Sequence, residues 1–239
     1  MLSKNQIKLI TSLKQKKYRL QHDLFVVEGI KTINELLQSG LILDALYTTE
    51  PFNIDAKKEE IISETDLKRI SFLKTPNKAL AVFKIPKPKN IDVEGLIVAL
   101  DDVRDPGNLG TIIRLCDWFG IRNLICSHET VDCFNPKVIQ ATMGSISRVN
   151  VTYLDLPDFL KQTDLPVFGT FMDGQSVYSC KLAKQGILIM GNEANGISSN
   201  VEQYVSRKLS IPRFGSLQAT ESLNVATATA IFLSEFKRR

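Results

Sequence analysis

The amino-acid sequence predicts an α/β protein with a mostly parallel sheet, helices on both sheet faces, and a small α/β unit in front of it. From residue 91 onward, short apolar runs alternate with helical patterns, which is typical of parallel sheets. Residues 84–90, KIPKPKN, hold two prolines and three lysines between strand-like runs and are the best candidate for a linker. The 239 residues are 44% hydrophobic, which is enough apolar material for a sizeable core.

The N-terminal part predicts a compact α/β unit. Residues 1–20 have the pattern of a basic, partly amphipathic helix. Gly40 is the expected C-cap of a helix over 30–38. The remaining expected elements are strands at 25–28, 43–48, 61–63 and 80–83, and a helix at 66–72.

The C-terminal part predicts strands and helices in alternation. The strands are expected at 96–100, 123–126, 149–153, 167–170, 187–190 and 209–211. The helices are expected at 109–120, 136–143, 158–162, 198–205 and 223–236. Pro136 fits the first turn of its helix, where the missing N–H costs nothing.

Composition and charge exclude several classes of protein. No apolar stretch approaches the roughly 20 residues of a membrane-spanning helix, and the charged N-terminus lacks a secretory signal, so we expect a cytoplasmic location. The 4 cysteines and 2 histidines show no zinc-ligand spacing, so we expect no metal and no disulfide. Residues 1–90 carry 16 of the 30 Lys and Arg but 10 of the 26 Asp and Glu. That excess fits a polyanionic partner or an ordinary solvated surface.

Three separated polar segments each follow a predicted strand and open onto a helix or a glycine-bearing loop. They read DDVRDPGNLGTIIR at 101–114, GNEANGIS at 191–198 and IPRFGSLQATESLNVA at 211–226. In an open α/β sheet, ligands bind outside the carboxyl ends of the strands. The three segments therefore predict one composite site.

Taken singly, most polar residues of these segments have simple structural interpretations. Asn108 fits a helix N-cap and Arg114 a surface helix residue. Glu193 fits a capping or solvated loop residue, and Ser222 a cap of the last helix. Asn224, one turn inside that helix, is less easily explained as structure. Neither G-x-G-x-x-G nor a Walker A loop is present, which excludes a nucleotide-dependent oxidoreductase.

In order along the chain, the motifs N-x-G-x-x-x-R, G-N-E-x-x-G and I-P…S-L-N-V-A resemble the SpoU family of RNA ribose 2′-O-methyltransferases, in the SPOUT superfamily. The resemblance covers residues 92–239. More loosely, FVVEGIKTINELL and LYTTE resemble the ribosomal-protein-like RNA-binding domain of many rRNA-acting members. The resemblance implies an RNA substrate-binding domain at 1–86 and a SpoU-type methyltransferase domain at 91–239.

The family resemblance also implies a C-terminal trefoil knot, an exception to the rule that chains do not knot. It implies S-adenosylmethionine bound inside the knot, and a homodimer in which Arg114 acts beside the cofactor of the partner. The cofactor would be held largely by backbone groups of the loops that match Thr170, Gly191, Asn192, Ile211, Pro212 and Leu223.

The chemistry of methyl transfer assigns expected roles to five residues. A ribose 2′-hydroxyl must lose its proton as it attacks a sulfonium methyl group, and arginine is a poor base at its ordinary pKa. Arg114 would therefore act with an RNA phosphate after desolvation, or stabilise the developing alkoxide. We expect Asn108 to position the ribose or Arg114, and Glu193 to hold the loop or Arg114. We expect Ser222 and Asn224 to contact the reacting nucleotide or the cofactor.

The expected substrate is structured RNA, with large-subunit rRNA favoured by the added N-terminal domain. Methylation of tRNA ranks second, and a catalytically silent RNA-binding assembly factor is disfavoured because the five polar residues occur together. The segment SLQATE, between Gly215 and Ser222, is a few residues longer than the usual family spacing, which would alter target entry.

Overall fold

The computed structural model describes residues 2–52, 54–215, 217 and 222–238. In chain order the elements are α1 (Lys4–Ser12), α2 (Lys16–His22), β1 (Leu24–Glu28), α3 (Ile30–Gln38), β2 (Leu43–Thr48), β3 (Glu59–Ile61), α4 (Glu64–Ile70), β4 (Ala79–Lys84), β5 (Leu96–Leu100), α5 (Pro106–Trp118), β6 (Asn123–Cys126), α6 (Pro136–Thr142), β7 (Asn150–Tyr153), α7 (Leu156–Lys161), β8 (Val167–Ser176), β9 (Gly186–Met190), α8 (Ser199–Glu202), β10 (Arg207–Ser210) and α9 (Val225–Arg238). A short 3₁₀ helix, Ser145–Ser147, follows α6.

The chain divides into two compact units. The first, called the N-terminal unit, runs to Lys87 and includes Asp132–Ser147. The second, called the C-terminal unit, comprises Pro88–Val131 and the chain from Arg148 onward. The sequence-based boundary placed residues 132–147 in the second domain, but α6 packs on β1 and so groups with the N-terminal unit.

The N-terminal unit is built on a mixed sheet with strand order β1–β4–β2–β3. β4 pairs antiparallel with β1 and β2, whereas β3 runs parallel to β2. Helices α1 and α4 contact each other, and apolar residues of both belong to one core with the sheet. The predicted strand at 61–63 lies two residues earlier, as β3.

The basic helix predicted over residues 1–20 is two helices with a break between them. Arg19 of α2 is only 2% exposed, so it is not part of a solvated basic face. Its guanidinium donates to the carbonyl oxygens of Leu13 (2.8 Å) and Lys14 (2.9 Å), at the end of α1. It also forms an ion pair with Asp132, to which Nε donates at 2.9 Å. A buried arginine requires such partners because an unpaired charge in the interior is costly.

The C-terminal unit is built on a six-stranded sheet with order β10–β8–β9–β5–β6–β7. All of its strand pairs are parallel. Leu100 lies opposite both Met190 and Cys126, so β5, β9 and β6 end at the same edge. The residues that follow these strands, which include the first two polar segments, therefore share one edge of the sheet.

Helices cover both faces of this sheet. On one face, Leu156 and Leu160 of α7 and Val201 of α8 pack against strand residues such as Ile97. On the other face, α5 packs against α9, and Phe236 of α9 contacts Phe168 edge-on at 5.2 Å between ring centroids. The predicted arrangement of a parallel sheet with helices on both faces is confirmed.

Several boundaries in the C-terminal unit differ from the predictions. The helix predicted at 109–120 begins at Pro106, and the helix predicted at 223–236 begins at Val225. The strand predicted at 167–170 continues to Ser176, where it pairs again with β10 after a register shift. The predicted boundaries failed because capping and pairing partners, rather than apolar periodicity, decide where these elements end.

Three further features bear on the sequence-based expectations. No helix of the described chain has the length and apolar character needed to span a membrane. All four cysteines are free and buried, and burial, with a smaller effect of Asp117, raises the pKa of Cys116. Across the described residues, no three His, Cys, Asp or Glu side chains are grouped so that they could hold a metal ion.

Candidate active site

The first polar segment forms a tight connection between β5 and α5. Asp101, directly after β5, is buried, and its Oδ2 accepts from the backbone N–H of Ser198 at 2.7 Å. Asp105 caps α5, with its side chain accepting from the N–H of Asn108 at 2.8 Å. The prediction that Asn108 is the N-cap is therefore wrong. Asp105 takes that position because Pro106 supplies the fixed φ of the first helical residue.

The second polar segment is a closed loop after β9. Asn192 and Gly196 exchange two backbone hydrogen bonds, at 2.9 and 3.0 Å. Inside the loop, Asn192 Oδ1 accepts from the N–H groups of Ala194 and Asn195, and its Nδ2 donates to the carbonyl of Asp102 at 2.7 Å. The Asn192 side chain thus orders the loop and connects it to the segment after β5.

Glu193, at the tip of this loop, faces the start of α5. Its carboxylate accepts from the backbone N–H groups of Arg104 and Asp105, both at 3.3 Å, and from Asn108 Nδ2 at 3.0 Å. Partial burial acts to raise the pKa of Glu193, but these hydrogen bonds outweigh it, so the net pKa is lowered. Glu193 is therefore ionised at neutral pH.

Asn108 connects all three polar segments. Its Nδ2 donates to Glu193 of the second segment, and its Oδ1 accepts from Asn224 Nδ2 of the third at 2.8 Å. Asn224 Oδ1 accepts from the N–H groups of Ala226 and Thr227 at 2.9 and 3.2 Å. Asn224 is thus the N-cap of α9, not a residue one turn inside it. The structure brings Asn108, Glu193 and Asn224 together in one hydrogen-bonded chain.

Arg114 lies apart from this chain. It follows Asn108 by six residues, which corresponds to about 9 Å along the axis of α5. Its side chain is exposed and makes no hydrogen bond or ion pair with the described residues. Trp118, one turn further along α5, is 83% exposed. The surface of α5 therefore presents the exposed guanidinium of Arg114, which has no partner among the described residues, and the exposed indole of Trp118.

Ser222 is not joined to the other predicted residues. It is exposed and forms no hydrogen bond within the described part of the chain, and it does not cap α9. The longer segment SLQATE, with the exception of Leu217, lies outside the described residues.

Five of the six residues predicted to hold a cofactor lie within one of three adjacent strands or directly after it, and the sixth, Leu223, lies before α9. Gly191 and Asn192 follow β9, and Thr170 comes directly after Gly169, which lies opposite Ile189 of β9. Thr170 Oγ1 donates to the carbonyl of Ile189 at 3.0 Å. Ile211 and Pro212 follow β10, and Leu223 precedes α9 with 48% of its surface exposed.

Sequence reasoning missed the acidic and backbone groups that organise this edge. Asp101, Asp105 and the N–H of Arg104 each make one of the connections described above. A signal for Asp105 was present, since aspartate before proline is typical of a helix start. Asp101 had no local signal, because its partner Ser198 lies 97 residues away in the chain.

Family models match both parts of the chain. Residues 95–234 match the SpoU rRNA Methylase family, and residues 4–81 match the MRM3-like substrate binding domain. The two matches fall on either side of the predicted linker.

Whole-chain relatives are similar in sequence and structure. The 23S rRNA (guanosine(2553)-2′-O)-methyltransferase RlmP of Bacillus subtilis is 30% identical over 97% of this chain and 96% of its own length. A solved structure of a TrmH-family protein from Porphyromonas gingivalis is 41% identical and has a TM-score of 0.89, covering 100% and 99% of the two chains. The AdoMet-bound rRNA methyltransferase from Sinorhizobium meliloti is 30% identical, with a TM-score of 0.87 over 100% and 97%.

Proposed function

This chain belongs to the SpoU rRNA methylase family, and from that premise we propose that it transfers a methyl group from S-adenosylmethionine to a ribose 2′-hydroxyl of rRNA. Family membership confirms the resemblance predicted from the three motifs and, with it, the SPOUT fold class, the enzymatic activity and the cofactor. The observation that carries the proposal for this chain is the hydrogen-bonded chain Glu193–Asn108–Asn224, which joins the three motifs at one sheet edge.

The residues at this edge fit the proposed cofactor. S-adenosylmethionine supplies an electrophilic methyl group on a sulfonium. The six residues proposed to hold the cofactor are all uncharged, which suits an adenosine held by backbone groups and apolar contacts. Gly191 lets the backbone of Gly196 and Ile197 pack closely against it, which closes the loop after β9, and Leu223 exposes an apolar side chain. The residues proposed to hold the cofactor are Thr170, Gly191, Asn192, Ile211, Pro212 and Leu223.

Glu193 and Asn108 are proposed as positioning residues. The Glu193 carboxylate already accepts three hydrogen bonds and its pKa is lowered, so it is a poor proton acceptor at neutral pH. Its role is to hold the loop after β9 against the start of α5. Asn108 and Asn224 then present a fixed polar edge beside the cofactor loops, and Ser222 is available to contact the reacting nucleotide. Much of the rate enhancement would come from this positioning.

Arg114 is proposed as the catalytic arginine, acting in the site of a second copy in a homodimer. It is exposed and has no partner among the described residues of its own chain, and Trp118 leaves an apolar surface on the same side of α5. Residues four apart on a helix lie on one face. Beside an RNA phosphate, Arg114 would assist removal of the 2′-hydroxyl proton or stabilise the developing alkoxide.

The N-terminal unit is proposed to bind the RNA substrate. Lys14, Lys16 and Lys17 are exposed on and before α2 and would contact phosphates, whereas the buried Arg19 would not. Such contacts predict a steep loss of RNA affinity with rising salt. We also propose a cytoplasmic location for the protein.

Methyl transfer from labelled S-adenosylmethionine into total RNA that lacks this modification tests the activity. We expect label in large-subunit rRNA with the wild type, a loss of at least about 100-fold with Arg114→Ala, and little change with Arg122→Ala. Arg122 is a matched control because it is an exposed arginine of the same unit. Label in tRNA would overturn the rRNA assignment, and cofactor binding without label in any RNA or ribosomal precursor would favour the assembly-factor alternative.

Mixed dimers test whether Arg114 acts across the dimer. A heterodimer of an Arg114→Ala chain and a Gly191→Ala chain keeps one intact cofactor loop and one intact arginine, on different subunits. Recovery of about half of the wild-type activity would support action in the partner's site. Absence of recovery, with the heterodimer intact, would place the arginine in the site of its own chain.

A further inference from the structure

The surface of the N-terminal unit has a half-open cavity of about 260 Å³ that the proposed methyl transfer does not use. Its walls come from β1, from the residues after α4, and from α6. Pockets for drug-sized ligands span roughly 300–1,000 Å³, so this cavity suits a smaller planar group such as one nucleobase. No residue of the candidate active site lines it.

The polar end of the cavity is the carboxylate of Glu28. This side chain lies at the end of β1 and is 6% exposed. One of its oxygens accepts from Ser71 Oγ at 2.5 Å and the other from the N–H of Phe72 at 2.8 Å. A carboxylate has about four acceptor positions, so each oxygen retains one. Glu28 forms no ion pair within the described chain, and burial raises its pKa.

The remaining walls of the cavity are mainly apolar. Val26, Leu73 and Ala141 line it, and the half-buried ring of Phe72 offers a face for stacking. Lys137, in the first turn of α6, is exposed and is the one cation among the described residues that line the cavity. The cavity therefore combines mainly apolar walls, a pair of acceptors and an exposed cation.

This combination matches a nucleotide. A planar base fills an apolar slot beside an aromatic ring, and a phosphate pairs with a lysine at the surface. Among the four RNA bases, guanine alone presents two adjacent N–H donors, N1–H and N2–H, to a pair of carboxylate oxygens. Adenine and cytosine present a donor beside an acceptor, and uracil presents a single N–H between two acceptors.

We propose that this cavity binds a guanine turned out of the structured RNA substrate, with its N1–H and N2–H donating to Glu28, its ring against Phe72 and its phosphate near Lys137. The proposal rests on the proposed RNA substrate. No proposed cofactor-binding residue lines the cavity, and we assign this guanine the role of an anchoring nucleotide rather than that of the methyl acceptor. Anchoring of this kind would select one RNA segment among many with similar shape.

Titration of the full-length protein with the four nucleoside 5′-monophosphates tests the site directly. We expect saturable NMR shifts at the amides of Phe72, Leu73 and Gln140 with GMP, and affinity lower by about tenfold with AMP, CMP and UMP. Ala141→Phe fills the slot and should abolish the shifts, whereas Ala56→Phe, the same change at an exposed site of this unit, should not. Absence of saturable shifts with GMP, or equal affinity for all four nucleotides, would overturn the proposal.

Glu28→Gln provides a second variant that nearly conserves shape. It replaces one acceptor oxygen by an amide donor, so GMP should lose its preference over AMP and CMP while the fold persists. If Glu28 had only a structural role, Glu28→Gln would lower the affinity for all four nucleotides alike, and that result would count against the proposal.

Methyl transfer to rRNA separates failure of this proposal from failure of the proposed function. If the wild type transfers methyl groups, Ala141→Phe should raise KM about tenfold with little change in kcat, and an unchanged KM would overturn the guanine site alone. If the wild type transfers no methyl group to any RNA, the proposed function fails, and the nucleotide titration still decides whether the cavity takes guanine.

Discussion

Gly191→Ala is the substitution whose effect the structure defines most sharply. A Cβ atom on Gly191 would lie 2.2 Å from the carbonyl carbon of Gly196, 2.4 Å from the N of Ile197 and 2.6 Å from the O of Gly196. All three are backbone atoms, so no side chain can rotate away. Carbon atoms in contact are normally about 3.5–4.0 Å apart, so the facing backbone must retreat by more than about 1 Å.

This movement of the backbone lowers the stability of the fold in two ways. It breaks the two backbone hydrogen bonds between Asn192 and Gly196, each worth about 0.5–1.5 kcal/mol. Overpacking adds about 1–3 kcal/mol. The free energy of unfolding should therefore fall by about 2–6 kcal/mol, and Glu193 should lose its place against the start of α5.

Urea unfolding and calorimetric titration with S-adenosylmethionine measure these two effects. Gly215→Ala is the matched control for stability, because no atom of the described residues lies within 4 Å of a Cβ at that position. We expect Gly191→Ala to lower the urea midpoint and abolish cofactor binding, and Gly215→Ala to leave the midpoint nearly unchanged. A Gly191→Ala protein within about 0.5 kcal/mol of wild type, with normal cofactor affinity, would refute the inference that this loop is sterically closed.

Three further outcomes follow from the hydrogen bonds and pKa shifts. A double-mutant cycle of Asn108→Ala and Glu193→Gln, measured by urea unfolding, should give a coupling free energy of about 0.5–1.5 kcal/mol. If the two substitutions have additive effects on the unfolding free energy, the hydrogen bond between Asn108 and Glu193 contributes nothing. The folded-state pKa of Glu193 is lowered, so the ionised Glu193 stabilises the folded protein at pH values above 4.5, the ordinary pKa of a glutamate. This stabilisation is lost as the pH falls through the folded-state pKa. The difference in unfolding free energy between wild type and Glu193→Gln should therefore shrink in acid. Because the folded-state pKa of Glu28 is raised, the stability of the wild type relative to Glu28→Gln should instead fall as pH rises from 4.5, and a rise would contradict the assigned cause, burial.

The location of the candidate site was predictable from the sequence, whereas the roles of its residues were less so. Asn108, Glu193 and Asn224 each stand just after a predicted strand or at a helix start, and the carboxyl ends of parallel strands meet at one edge. Two nearby residues could have capped each of the helices α5 and α9, and the sequence did not distinguish between them. Asp105 displaced Asn108 at α5, and Asn224 displaced Ser222 at α9, because Asp105 and Asn224 stand directly before the first helical residue, where their side chains accept the first-turn N–H groups.

The sequence by itself determined the alternation of strands and helices, the parallel sheet and the family, because apolar periodicity and motif spacing are local properties of the chain. The tertiary structure alone decided that residues 132–147 join the N-terminal unit, that Arg19 is buried against Asp132, and that Asn108 bonds to both Glu193 and Asn224. These partners lie 85 to 116 residues apart in the chain. No local pattern encodes such a pairing, since it depends on how the packed core orients whole elements toward one another.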